Sequence, residues 1–152
     1  MEHTLLAQFN DLGAAAAIGF SAIGSALGTG VAGMAAIGAW KKCYAQNKAA
    51  PMLLTVFSAF PLSQTLYGFI LMNKIAAAAA NGQYFWGMGI IGGMAIGASA
   101  YMQGKAAAGA SDTFAEFGKG QGNYIIVLGI IETVAILVFV FLQGKVGMLS
   151  AG

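Results

Sequence analysis

Charged residues are scarce in this sequence. They make up 8% of its 152 residues, whereas an ordinary soluble domain carries roughly 25%, and this shortage excludes a typical water-exposed surface. The single cysteine, Cys43, excludes an internal disulfide and a Cys/His metal pattern. The net charge of +2 comes from lysines at the ends of apolar segments and in loops rather than along one face, so no nucleic-acid partner is expected.

Long apolar segments take up most of the chain. No charged residue occurs within 12–40, 49–73 or 75–104, and 120–144 contains only Glu132. A helix needs about 20 apolar residues to cross about 30 Å of hydrocarbon. The sequence therefore predicts an all-α membrane protein, one domain over 1–152, with four transmembrane helices near 11–40, 51–73, 84–111 and 122–148.

Lysines in the connections predict the orientation in a cell membrane. The loops near 41–50 and 112–122 hold four lysines, and Lys105 lies close to the same side. The other side has only Lys74 and Lys145. Because cytoplasmic loops carry an excess of Lys and Arg, we expect a multi-pass protein with these two loops in the cytoplasm and both termini on the outer side.

The two halves of the chain resemble each other. The first and third predicted spans are rich in Gly and Ala, whereas the second and fourth are richer in bulky residues. "SQTLYGFIL" from Ser63 aligns with "IETVAILVF" from Ile131, which puts Gln64 where Glu132 stands in the second half. This repeat predicts two duplicated helical hairpins, 11–73 and 84–148.

Small residues repeat at four-residue spacing in the Gly-rich spans, as in Gly24/Gly28 and Gly89/Gly93/Gly97. In lipid such spacing lets helix backbones approach closely, which supplies much of the packing. Helices of this kind can pack against copies of themselves in a closed ring. The packing pattern alone is equally compatible with one compact four-helix bundle.

Glu132 interrupts the apolar run "GIIETVAILVFVF". An ionisable group at the centre of a bilayer costs several kcal/mol and persists only when something pairs with it or needs it. Gln64 and Gln103 lie at similar predicted depth, roughly 12 to 20 Å from the cytoplasmic ends at about 1.5 Å per residue. Together with Ser63 they form a set of hard oxygen donors with one negative charge, which suits a monovalent cation better than a divalent one.

Two neighbours support this constellation. Tyr67 shares a helix face with Gln64 and can reach the same carboxylate, and Pro61 removes a backbone donor, which leaves nearby carbonyls available as ligands. A structural ion pair between Glu132 and Lys105 is the competing hypothesis. Lys105 lies two residues after Gln103, about 200° around the helix, so a helix that turns Gln103 towards Glu132 points the lysine elsewhere.

Three motifs resemble one family. "PLSQTLYGF" in the second span, "YMQGKAAAGA" in the third and "IIETVAIL" in the fourth are similar to the proteolipid rotor subunit of bacterial sodium-translocating V-type ATPases. The resemblance covers nearly the whole chain. It implies a homo-oligomeric membrane ring that rotates against a stator, while ATP is hydrolysed in a separate soluble sector and this chain has no catalytic nucleotide site.

The resemblance also implies the roles of individual residues. By this resemblance, five groups would each supply an oxygen ligand to sodium: the Glu132 carboxylate, the Gln103 and Gln64 amides, the Ser63 hydroxyl and the Phe60 backbone carbonyl. Tyr67 is expected to hydrogen-bond Glu132, the ion carrier. The expected ligand is Na⁺ with no organic cofactor, and the expected partners are identical subunits, lipid, a stator subunit with an essential Arg, and central-stalk subunits.

Two alternatives remain at this point. A rotor that carries H⁺ needs only a titrating Glu132, whose burial favours protonation, and the surrounding oxygen donors favour Na⁺ over it. A non-rotary pore or scaffolding bundle is the other class. Pores line their whole length with polar residues, whereas the bulky polar residues here gather at one level.

Overall fold

The computed structural model describes residues 2–150, and Met1, Ala151 and Gly152 of the predicted 1–152 domain lie outside that range. Every regular element within the range is helical. The elements, in chain order, are α1 (Glu2–Ala45), α2 (Leu53–Ala59), a 3₁₀ turn (Phe60–Leu62), α3 (Ser63–Ala79), α4 (Trp86–Phe117) and α5 (Gln121–Ser150).

Three segments are long and apolar enough to cross a membrane: Thr4–Ala45, Leu53–Ala79 and Gln121–Leu149. They confirm three of the four predicted spans by length and composition. α4, with 32 residues, is also long enough to cross but is less hydropathic than these three. The second span is divided by the 3₁₀ turn at Pro61, as the missing backbone donor of proline leads one to expect.

The two Gly-rich helices, α1 and α4, run parallel and make the most extensive contact in the bundle. A Cβ added to Gly24 would overlap the backbone of Gly97, and one added to Gly104 would overlap the backbone of Gly28. The predicted close approach through small residues is confirmed at these positions. α3 runs antiparallel to α1, with Gly68 against Ser21.

Two apolar clusters fill the interior. One is centred on Phe57, whose ring meets those of Phe114 and Tyr124 edge-on at centroid distances of 6.2 and 6.1 Å. The other lies towards the opposite end of the helices and includes Leu71 and Ile96. Along the chain, members of the two clusters flank Gln103 on α4 and Glu132 on α5. In the second span, Phe57 of the first cluster and Leu71 of the second flank Ser63 and Gln64 in the same way. These four polar residues form the middle layer, with apolar packing on both sides.

Polar contacts hold both ends of the bundle. Lys42 Nζ on α1 lies 2.8 Å from Glu116 Oε2 on α4, and this hydrogen-bonded lysine lowers the pKa of the Glu116 carboxyl from its ordinary value. The stabilisation is present above that ordinary pKa and is lost as the pH falls through the lowered one; both groups are solvated, so it is small. At the other end, buried Asn10 donates to Ile75 O at 3.1 Å and accepts from Phe85 N at 2.9 Å.

We expect Gly24→Ala to destabilise the protein by about 1–3 kcal/mol, the usual cost of overpacking, because its methyl group would meet the Gly97 backbone, which cannot rotate away. Gly38→Ala is the matched control, since open space surrounds its Cβ position and Ala favours a helix over Gly. Thermal unfolding of the purified protein in detergent measures both. Equal melting temperatures for the two variants would show that the α1–α4 contact is not tight.

Candidate functional site

The Glu132 carboxylate on α5 is half-buried and receives donors from two other helices. Its Oε1 accepts hydrogen bonds from Ser63 Oγ at 2.5 Å and from Tyr67 OH at 2.8 Å. Its Oε2 accepts from Gln103 Nε2 at 3.3 Å. The structure thus brings α3 and α4 to the carboxylate, and the charge lies within a set of fixed dipoles.

Two fully buried glutamine side chains extend this network inward. Gln103 Nε2 also donates to the backbone oxygen of Leu128 at 2.9 Å, and Gln103 Oε1 accepts from Gln64 Nε2 at 2.8 Å. Gln103 therefore turns its nitrogen, not its oxygen, towards Glu132. Its Oε1 retains a second lone pair, since an amide oxygen accepts two hydrogen bonds.

Oxygen atoms from three segments crowd around the Ser63 hydroxyl. Ser63 Oγ lies 3.3 Å from Phe60 O, 3.2 Å from Gln64 Oε1 and 2.5 Å from Glu132 Oε1. A hydroxyl carries a single hydrogen, so Ser63 can donate to only one of these three oxygens at a time. The remaining close oxygens form an electron-rich cluster that a small cation stabilises better than a neutral group does.

The single carboxylate distinguishes this cluster from a divalent-metal site. Within residues 2–150, no group of three or more His, Cys, Asp or Glu side chains is placed to hold a metal ion. Divalent cations in proteins are usually held by several carboxylates or by imidazole and thiolate groups. Here the oxygens grouped with the Glu132 carboxylate are neutral ones from Phe60, Ser63 and Gln64.

Two long stretches of the chain match a known family. The family model for the C subunit of ATP synthase matches residues 12–73 and 86–142, which is more than half of the chain. The chain belongs to this family. It is therefore a proteolipid of the membrane rotor ring of a rotary ATPase, and the family's members carry ions and work with other ATPase subunits. No curated protein matches the chain.

Lys105 of the proteolipid does not pair with Glu132. Lys105 Nζ lies over the ring of Tyr101, 5.6 Å from the centroid. The ion pairs of the described range join Lys42 to Asp112 and Glu116. The competing hypothesis of an ion pair between Glu132 and Lys105 is wrong in this structure, as the angular separation of Lys105 from Gln103 on α4 led us to expect.

Three contributors to the proteolipid's site were not predicted. Ser99 Oγ donates to Ile131 O at 2.9 Å and so holds the backbone beside Glu132. Ser99 lies one turn before Gln103 on the same helix face, and that spacing was a usable signal. The Leu128 carbonyl and the Phe139 ring, which stacks on Tyr67 at 5.3 Å, left no comparable signal because a backbone oxygen and a phenylalanine within an apolar run look ordinary in a sequence.

We expect Tyr67→Phe to accelerate carbodiimide modification of Glu132 by about tenfold, because the carboxylate loses a hydrogen bond of the strength typical for a charged acceptor while the ring still stacks on Phe139. Tyr44→Phe, at an exposed tyrosine near the end of α1, is the control. Mass spectrometry of the labelled proteolipid gives the rate. An unchanged rate would mean that Tyr67 does not restrain the carboxylate.

Proposed function

We propose that this proteolipid carries Na⁺ as the rotor subunit of a bacterial V-type ATPase. The observation that carries the proposal is the oxygen cluster in which Phe60 O, Gln64 Oε1 and Glu132 Oε1 all approach Ser63 Oγ. These four oxygens belong to groups that the resemblance to sodium-carrying proteolipids also selects. Gln103 Oε1, next to the Gln64 amide, is the proposed fifth ligand.

Charge balance supports a monovalent cation. Glu132 is the one acidic residue in the stretch 120–144. Its single negative charge is neutralised by one Na⁺, and this region is one in which a residual charge is costly. A loaded site is then neutral and can face lipid as the ring turns. An empty site holds an anion that lipid disfavours, so rotation through lipid depends on occupancy.

Release of the ion requires a cation on a partner. All seven Lys and Arg residues of this chain are lysines, and the one on α4, Lys105, lies over Tyr101. An essential Arg on the stator subunit is therefore proposed to attract the empty Glu132 carboxylate and favour ion release. Central-stalk subunits would connect the ring to the soluble sector in which ATP is hydrolysed.

A proton is the second candidate cargo. Gln103 turns Nε2 towards Glu132 and is 3.3 Å from it, and the carboxylate obtains three donors without any cation. Such an arrangement serves a group that simply gains and loses a proton. A proton carrier does not need the further oxygens of Phe60 and Gln64 beside Ser63, which is why Na⁺ is preferred here.

We expect NaCl, but not KCl, to suppress carbodiimide modification of Glu132 at fixed pH in membranes that contain the assembled complex. Ser63→Ala should raise the Na⁺ concentration for half protection about tenfold, because one oxygen ligand of charge-assisted strength is lost. Mass spectrometry of the labelled proteolipid gives the extent of modification.

Ser58→Ala is the matched control, since its hydroxyl bonds Leu54 O within its own helix at 3.0 Å. Glu132→Gln should abolish modification in all conditions. Labelling that Na⁺ leaves unchanged at every pH would contradict the sodium proposal and favour the proton.

We further propose that the α1–α2 and α4–α5 loops are cytoplasmic and that both termini face outward. In a Cys43→Ala background, Asn81→Cys should react with a membrane-impermeant maleimide on intact cells. Asn47→Cys, equally exposed in the structure, should react only after permeabilisation. The opposite labelling pattern would reverse the orientation.

A further inference from the structure

Hydroxyl side chains recur at four-residue spacing on the buried face of α1, at Ser21, Ser25 and Thr29. In a helix such a hydroxyl commonly bonds the carbonyl one turn earlier. Ser21 does so, with its Oγ 2.7 Å from Ala17 O. Ser25 Oγ and Thr29 Oγ1 are buried and have no hydrogen-bond partner within the described part of the chain.

Packing against α3 places Ser25 beside the ion site. Ser21 lies against Gly68, and Gly28 lies against Pro61. Ser25 is four residues after Ser21, and Gln64 is four residues before Gly68. Because α1 and α3 are antiparallel, this register brings Ser25 to the level of Gln64, and both residues are at most 2% exposed.

Gln64 has a donor that the ion site does not use. One hydrogen of Nε2 bonds Gln103 Oε1, and an amide nitrogen carries two. No acceptor for the second hydrogen lies among residues 2–150. One hydrogen of the buried Gln64 amide and two buried hydroxyls on the facing helix therefore lack partners within about one helical turn of each other. Leaving buried polar groups unpaired is costly.

We propose that a buried water molecule joins Ser25 and Thr29 to Gln64, and that Ser25 is a positioning residue for the ion site. The Cβ atoms of residues four apart on a helix are about 5–6 Å apart, so two rotatable hydroxyls can converge on one water through hydrogen bonds of about 2.8 Å. Three polar partners are the usual complement for a buried water. A water fits better than a second cation, because none of the three groups is charged.

The consequence concerns the direction of the Gln64 amide. With Nε2 held by Gln103 on one side and by the water on the other, Gln64 Oε1 stays directed at Ser63 Oγ. Without the water, the amide can rotate and withdraw that oxygen from the cluster. The effect on Na⁺ binding rests on the proposed function, whereas the presence of the water does not.

A high-resolution cryo-electron microscopy map of the complete complex tests the water directly. Density within hydrogen-bonding distance of Ser25 Oγ, Thr29 Oγ1 and Gln64 Nε2 is expected, with or without Na⁺ in the buffer. A map in which Ser25 Oγ bonds the Ser21 carbonyl and no density lies between α1 and α3 would overturn the proposal. So would a cation there, recognised by shorter ligand distances of about 2.4 Å.

Protection of Glu132 from carbodiimide by Na⁺ tests the positioning role. Ser25→Ala should raise the Na⁺ concentration for half protection about fivefold, the factor given by one neutral hydrogen bond of typical net strength. Ser25→Thr keeps the hydroxyl and should restore the wild-type value. Thr29→Val, which keeps the shape of the side chain, should shift the value in the same direction as Ser25→Ala.

Ser21→Ala is the control one turn away, because its hydroxyl is already satisfied by Ala17 O. Equal shifts for Ser21→Ala and Ser25→Ala would indicate loosened packing and contradict the positioning role, as would no shift for Ser25→Ala. If Na⁺ fails to protect the wild-type protein, the sodium proposal fails on its own, and the map still decides the water.

Discussion

The structure depends on keeping one carboxylate at a level of the bundle where apolar clusters lie on both sides. Glu132 is tolerated because Ser63, Tyr67 and Gln103 each donate to it from helices other than its own. Removing an anion from water costs several kcal/mol even in relaxed proteins, and only well-placed partners offset this cost. Most features of the middle layer follow from that requirement.

Glycine packing makes the required geometry possible. The backbones of α1 and α4 come into contact at Gly24 and Gly97. α3 and α5 pack against this pair of helices and carry Ser63, Tyr67 and Glu132. The 3₁₀ turn at Pro61 leads into α3, and its Phe60 carbonyl lies 3.3 Å from Ser63 Oγ.

Much of this could be predicted from the sequence, because lipid restricts the chain to few structures. The lengths of the charge-free segments predicted the helices. The similar predicted depth of Gln64, Gln103 and Glu132 indicated that their side chains meet, and they do. The direction of the Gln103 amide could not be predicted, since it depends on the Leu128 carbonyl and hence on the rotation of α5. The buried Asn10 contact was missed for a similar reason, because its partners are backbone groups more than sixty residues away.

The two aligned positions of the duplicated hairpins carry different side chains, an amide at Gln64 and a carboxylate at Glu132. Gln64 occupies the position in the first hairpin that Glu132 occupies in the second, and both side chains contact Gln103. Two carboxylates on one shared partner repel each other, so that one of them would hold a proton instead of a charge. An amide at position 64 keeps an oxygen near the site without a second charge and adds a donor that aligns Gln103. Under the proposed function, a single charge per subunit is what a monovalent cargo neutralises, and for that reason we expect the amide to be needed as well as the acid.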